Sequence, residues 1–71
     1  MKTLSKIECI LQKIRFSRMK KGYSQEYVGE MLNLSQYAYH KIENGKTKLN
    51  LKYFIMLCII LEVDAAEMLK D

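Results

Sequence analysis

Leu4, Ile7, Leu11 and Ile14, with Ile10 beside them, recur at helical spacing. That period predicts one amphipathic helix running to about Lys20. Lys20 and Lys21 suit the negative end of such a helix, and Gly22 supplies a left-handed stop. Ser24 is placed to cap a second helix, with Glu26 in its first turn and Val28, Met31 and Leu32 facing inward. Gly29 in mid-helix costs about 1 kcal/mol of propensity, so another helix is expected to approach closely there. Asn33 and Leu34 make a tight turn, because asparagine tolerates left-handed backbone. Ser35 caps a third helix, Gln36 to about Glu43, which Asn44-Gly45 ends. Asn50 caps a fourth, beginning at Leu51. Within it Tyr53 to Leu61 reads YFIMLCIIL, an unbroken apolar run far short of the roughly 20 residues that cross a bilayer. Such a helix is buried almost all round, or carries a second apolar face for a partner. Asp64-Ala-Ala-Glu67 has the form of a capping box and opens a short fifth helix ending near Lys70. The fold class is all-α, with an extended first helix. β-branched residues are not grouped in alternating runs, and there is no proline to interrupt a helix.

Two helices joined by a very short turn, the second capped by serine, form a helix-turn-helix pattern. In the segment SQYAYHKIENG, residues 35–45, Tyr39 and Ile42 point toward the core. Gln36, Tyr37, His40, Lys41 and Asn44 point the other way. That outward set suits the edge of a nucleic acid. Glutamine bonds adenine at two edges in the major groove, and lysine bonds guanine or phosphate. Tyrosine offers a hydroxyl and an apolar ring, and the leading helix N-terminus favours anions.

Charge strengthens this reading. In residues 1–48 ten lysines and arginines stand against four acids; in residues 49–71 two lysines stand against four acids. One end of the chain attracts polyanions and the other does not. The 71 residues suffice for a single small domain, residues 1–71. Cys9 and Cys58 lie far apart among apolar neighbours and read as buried free thiols in a reducing cytosol. No CxxC spacing exists, and one histidine is too few for the usual zinc patterns, so no metal or other cofactor is expected. Met1–Lys6 leads into a mixed, charged segment without an apolar signal core, and no membrane association is expected. No nucleophile has a base in reach, since the lone histidine lies on the outward face of the third helix; the chain does not read as an enzyme.

The segments IRFSR (14–18), GYSQEYVGEML (22–32), NLSQYAYHKIENGKTK (33–48) and LEVDAAEML (61–69) follow one another in a familiar order and spacing. Together they resemble the lambda-repressor-like helix-turn-helix domains of the Xre/Cro class, over a family core of residues 10–69. The resemblance implies a compact five-helix bundle that binds double-stranded DNA, usually as a two-fold homodimer. It implies a small cytoplasmic transcription regulator of bacterial or phage type, most often a repressor. It gives Gln25 the role of a phosphate-binding and helix-orienting residue. Gln36, Tyr37 and Lys41 match base-reading positions, and Asn44, Lys46 and Lys48 match a loop that grips the DNA backbone. Arg18 and Glu43 match a structural ion pair. His40, on the same outward face, joins the candidate DNA contacts. Tyr39 stands where the family more often has a β-branched aliphatic residue, so its hydroxyl needs a partner. Gly29 replaces a more usual alanine, and Asn33 a common turn glycine.

Two other roles fit the same residues: an antitoxin-type autorepressor that also binds a toxin, and a protein-interaction module with this fold and little DNA affinity. Two features bear on partners. The first helix starts early, adding Leu4, Ile7 and Cys9 as an N-terminal extension over residues 1–9. The fourth carries apolar residues at Tyr53, Met56 and Ile59, where relatives commonly expose polar ones. An uncovered stripe of that kind invites association. The extension is therefore expected to cover it, from the same chain or from a second copy. Tyr23 and Tyr27 read as packing residues where the first two helices join.

Overall fold

A computed structural model describes residues 2–70, with side chains from Lys6 to Lys70. The described residues form five helices and no strand: α1 (Lys2–Lys20), α2 (Gln25–Met31), α3 (Gln36–Glu43), α4 (Leu51–Leu61) and α5 (Ala65–Leu69). The fold class is all-α, and α1 is extended as its apolar period requires.

Each later helix starts on a side-chain cap. Ser24 Oγ accepts from Tyr27 N at 2.9 Å, Ser35 Oγ from Ala38 N at 3.0 Å, and Asn50 Oδ1 from Tyr53 N at 2.8 Å. Asp64 Oδ1 accepts from Ala66 N at 3.2 Å. Among the described residues Glu67 does not return the reciprocal bond of a capping box; its Oε2 accepts from Lys70 Nζ at 3.2 Å.

The first four helices all stop in the same way, on a left-handed residue followed by two backward backbone bonds. At α1 the pair is Gly22 N to Met19 O and Tyr23 N to Arg18 O. Gly22 and Gly45 take φ of +76°, free of Cβ strain. Asn33 at φ 64° and Glu62 at φ 57° adopt the same conformation with a side chain.

α2 lies along α3, while α1 packs against α3, α4 and α5. The core gathers Leu11 and Ile14 of α1, Val28 of α2, Leu32, Tyr39 of α3, Leu57, Cys58 and Leu61 of α4, and Met68 of α5. Gly29 explains how α2 and α3 come so close. A Cβ there would meet Leu34 O at 3.1 Å, Ser35 O at 3.2 Å and Tyr39 Cβ at 3.4 Å.

Four expectations are corrected. Met31 is 49 % exposed, because Val28, Gly29 and Leu32 occupy the buried arc of α2 and Met31 falls outside it. Cys9 is exposed; it sits two residues before buried Leu11, roughly 200° away around the helix. Cys58 is buried as expected, and burial pushes its thiol pKa up. On α4, Tyr53 and Met56 are half-buried against the core, and the outward apolar row is Leu51, Ile55 and Ile59. The described side chains of α1 reach only the N-terminal member of that row: Ile7 and Ile10 face Leu51, with Phe54 and Leu69, across an apolar cleft, and Ile59 stays 70 % exposed. The Leu4 side chain lies outside the described residues.

Candidate nucleic-acid interface

α3 has two faces with different chemistry. Tyr39, Ile42 and Glu43 are buried beneath it. Gln36, Tyr37 and His40 are exposed, and Tyr37 is 69 % so. Lys41 is half-buried rather than fully outward, with its Nζ 5.1 Å from the Tyr37 ring centroid. A cation above an aromatic face one turn away is held loosely by the ring's quadrupole. The Gln36 side chain has no hydrogen-bond partner among the described residues, so its amide is free to meet a ligand.

Glu43 fixes α3 from below. Among the described residues it is the buried charged side chain, 1 % exposed, and it is fully bonded. Arg18 donates to it twice, Nε to Oε2 at 2.8 Å and Nη2 to Oε1 at 3.0 Å. Tyr39 Oη donates to Oε2 at 2.7 Å, which supplies the partner its hydroxyl requires. Gln25 Nε2 donates to Oε1 at 3.0 Å. Burial alone would raise the Glu43 pKa; the hydrogen bonds from Arg18, Tyr39 and Gln25 outweigh it and hold the carboxyl below its ordinary value. The bond to Glu43 raises the Arg18 pKa against its own desolvation. Burial, then the Glu43 bond, push the Tyr39 hydroxyl up, so it stays a donor. One carboxylate therefore ties α1, α2 and α3 together. The expected Arg18–Glu43 pair is present, and it is the core of a larger cluster.

The cluster continues to the surface. Gln25 turns its Oε1 toward His40 Nδ1 at 3.2 Å. Asn44 Nδ2 lies 3.1 Å from the same Nδ1. An amide oxygen only accepts and an amide N–H only donates, so the two contacts ask opposite roles of that nitrogen, and one tautomer serves one of them at a time. Asn44 Nδ2 donates to the His40 carbonyl oxygen at 2.8 Å and lies 3.3 Å from His40 Nε2. Arg15 Nη2 donates to Asn44 Oδ1 and to the Glu43 carbonyl oxygen, both at 3.3 Å. Its Nε lies 3.6 Å from Glu43 Oε1. Arg15, Gln25, His40, Glu43 and Asn44 thus close a ring of polar contacts around the C-terminal end of α3.

Sequence reasoning missed Arg15. The signal was its spacing: Arg15 and Arg18 fall three apart in IRFSR, on one face of α1. Of the eight candidate DNA contacts, the fold joins Gln25 to His40 and His40 to Asn44. Gln36 and Tyr37 lie in the first turn of α3, and Lys41 one turn on from Tyr37. Lys46 and Lys48 are exposed in the loop that leaves it. That loop is shaped by Lys46 N and Thr47 N, which both donate to the Lys41 carbonyl oxygen, at 2.8 and 3.2 Å.

Two capped helices, a four-residue connection and a bonded carboxylate under the second helix define a helix-turn-helix protein. The Helix-turn-helix family model of the Xre/lambda-repressor-like class matches residues 14–68, and the chain belongs to that family. It is a family of DNA-binding regulatory proteins and is not typically enzymatic. Comparison with curated proteins and with solved structures gave no match. Among the described residues no helix is long and apolar enough to cross a membrane.

Proposed function

We propose that this chain is a sequence-specific double-stranded DNA-binding repressor, cytoplasmic and active as a homodimer on a palindromic operator. α3 enters the major groove with Gln36 leading, and Tyr37 and Lys41 follow along the same helix. Gln25 and Asn44 bond phosphates on the two sides of α3, and Lys46 and Lys48 neutralise phosphates beyond it. His40 contributes at the groove edge. Two such helices on a two-fold dimer would read half-sites about 34 Å apart.

The observation that carries this reading is the opposition on α3. Its lower face is locked by buried Tyr39, Ile42 and Glu43, while Gln36 and Tyr37 are exposed at its N-terminal turn and the basic loop leaves its other end. A helix held at a fixed angle with unspent donors is suited to reading base edges, and the lysines supply the affinity that brings it there.

Binding to random-sequence DNA should weaken steeply with salt, and removing Lys46 or Lys48 should each reduce the slope by about one. Gln36→Ala should cost about 1–3 kcal/mol at one base position and relax preference there. Selection of bound sequences from a random DNA pool reads specificity, half-site spacing and symmetry together. A pool that yields no enriched sequence, with affinity indifferent to salt, would overturn the proposal.

A further inference from the structure

α4 presents a row of apolar side chains to solvent: Leu51 is 71 % exposed, Ile55 47 % and Ile59 70 %. Spaced four apart, they line one face over about 12 Å of helix. The described part of α1 meets only the N-terminal member, where Ile7 and Ile10 share a cleft with Leu51, Phe54 and Leu69; Ile55 and Ile59 lie outside that cleft. Such a row is costly in water unless something covers it.

The row and its ends are self-complementary. Ile55 is its midpoint, with one apolar residue four positions to each side. The basic residues Lys48 and Lys52 lie at its N-terminal end, both exposed. Glu62, with a side chain 75 % exposed, lies at its C-terminal end, where Lys21 Nζ holds Oε1 at 2.8 Å. A two-fold axis across Ile55 would set Ile55 against the partner's Ile55 and Leu51 against the partner's Ile59. It would also bring the lysine end of each helix to the glutamate end of the other. The two helix dipoles would then oppose, which is favourable. A parallel arrangement would put lysine on lysine and glutamate on glutamate.

We infer that the Leu51–Ile55–Ile59 face is the interface between two copies of this chain, paired antiparallel through α4. The inference rests on the homodimer in the function proposed above and names the surface that forms it. It assigns α4 two duties: Leu57, Cys58 and Leu61 fill the core, and the outward row joins the protomers.

The test uses the full chain without DNA. Sedimentation equilibrium should show a dimer, and Ile55→Glu should convert it to a monomer with an unchanged helical circular dichroism spectrum. In a Cys9→Ser background, a short bismaleimide should link Ile55→Cys to itself. It should link Leu51→Cys to Ile59→Cys when the two variants are mixed, and neither of those to itself. Three results would overturn the inference: a monomer at about 1 mM, association that survives Ile55→Glu, or self-linking by Leu51→Cys. A dimer with the expected links that binds no DNA would overturn the function proposed above and leave this pairing standing.

Discussion

Around Glu43 the packing is polar: Arg18, Gln25 and Tyr39 all donate to one carboxylate. Around Leu57 and Leu61 it is apolar, built with Leu11, Ile14 and Met68. The two regions stabilise the same small bundle by different physics. Apolar burial is non-directional, so the α4–α5 side holds its helices together without fixing their angles sharply. Hydrogen bonds to a buried charge are directional and strengthened by the low dielectric, so the α1–α2–α3 side sets the angle of α3. The directional side is the one that carries the candidate reading helix.

Breaking the polar region should have the largest effect. Glu43→Ala would leave the Arg18 guanidinium and the Tyr39 hydroxyl buried without their acceptor. A loss of about 3–5 kcal/mol is expected in urea denaturation, as for other broken buried pairs. The same group shapes the acid limb of stability. Its folded pKa is depressed, so its contribution is complete above the ordinary carboxylate value, near 4.3, and is lost as pH falls through the lower folded value. The urea midpoint of Glu43→Gln should therefore fall less than that of the parent between about pH 6 and about pH 3. A parallel decline in the two proteins would show that Glu43 does not govern this limb.

The apolar region is probed by Leu57→Ala, which should cost about 2–5 kcal/mol through lost burial and a residual cavity. Its DNA base preference, measured below the melting transition, should match the parent, because no directional contact to α3 is removed. A changed preference would erase the distinction between the two regions. Tyr39→Phe sharpens it: the ring stays, one bond to a charged acceptor goes, and about 1.5–3 kcal/mol should be lost. The smallest effect is expected at Gly29→Ala. The gain in helix propensity, about 1 kcal/mol, is offset by the tight approach to Leu34 O and Ser35 O. The net change in urea stability should stay within about 1 kcal/mol of zero, and a larger loss would mean that the α2–α3 contact cannot yield.

The elements were legible because their signals are local. Ser24, Ser35, Asn50 and Asp64 cap the next turn, and Gly22, Asn33 and Gly45 stop the last one, whatever the rest of the chain does. Glu62 was not legible as a stop. Glutamate has no special ease in left-handed backbone, and its conformation goes with the Val63 N to Cys58 O bond and the reach to Lys21. The outward set on α3 followed from periodicity, but the Arg18–Glu43 pair came from family resemblance. The Arg15–Asn44 and Gln25–His40 contacts came from neither, since they depend on how α1, α2 and α3 meet in space. Met31 and Cys9 were misplaced for a related reason. Apolar character places a side chain inside only when a neighbouring element faces it, and the sequence pattern does not say which arc of a short helix that will be.

The side chains that secure α3 and those at its outer tip share no members. Among the described residues the Gln36 and Tyr37 side chains form no hydrogen bond with the bundle, so, on the function proposed above, a library randomised at these two positions should sample new operator preferences on an undisturbed scaffold. His40 lies on the same helix but is wired to Gln25 and Asn44, and exchanging it would disturb the grip as well as the message. The chain is in that sense a holder with a two-residue interchangeable tip, and the boundary between holder and tip falls between Tyr37 and Tyr39.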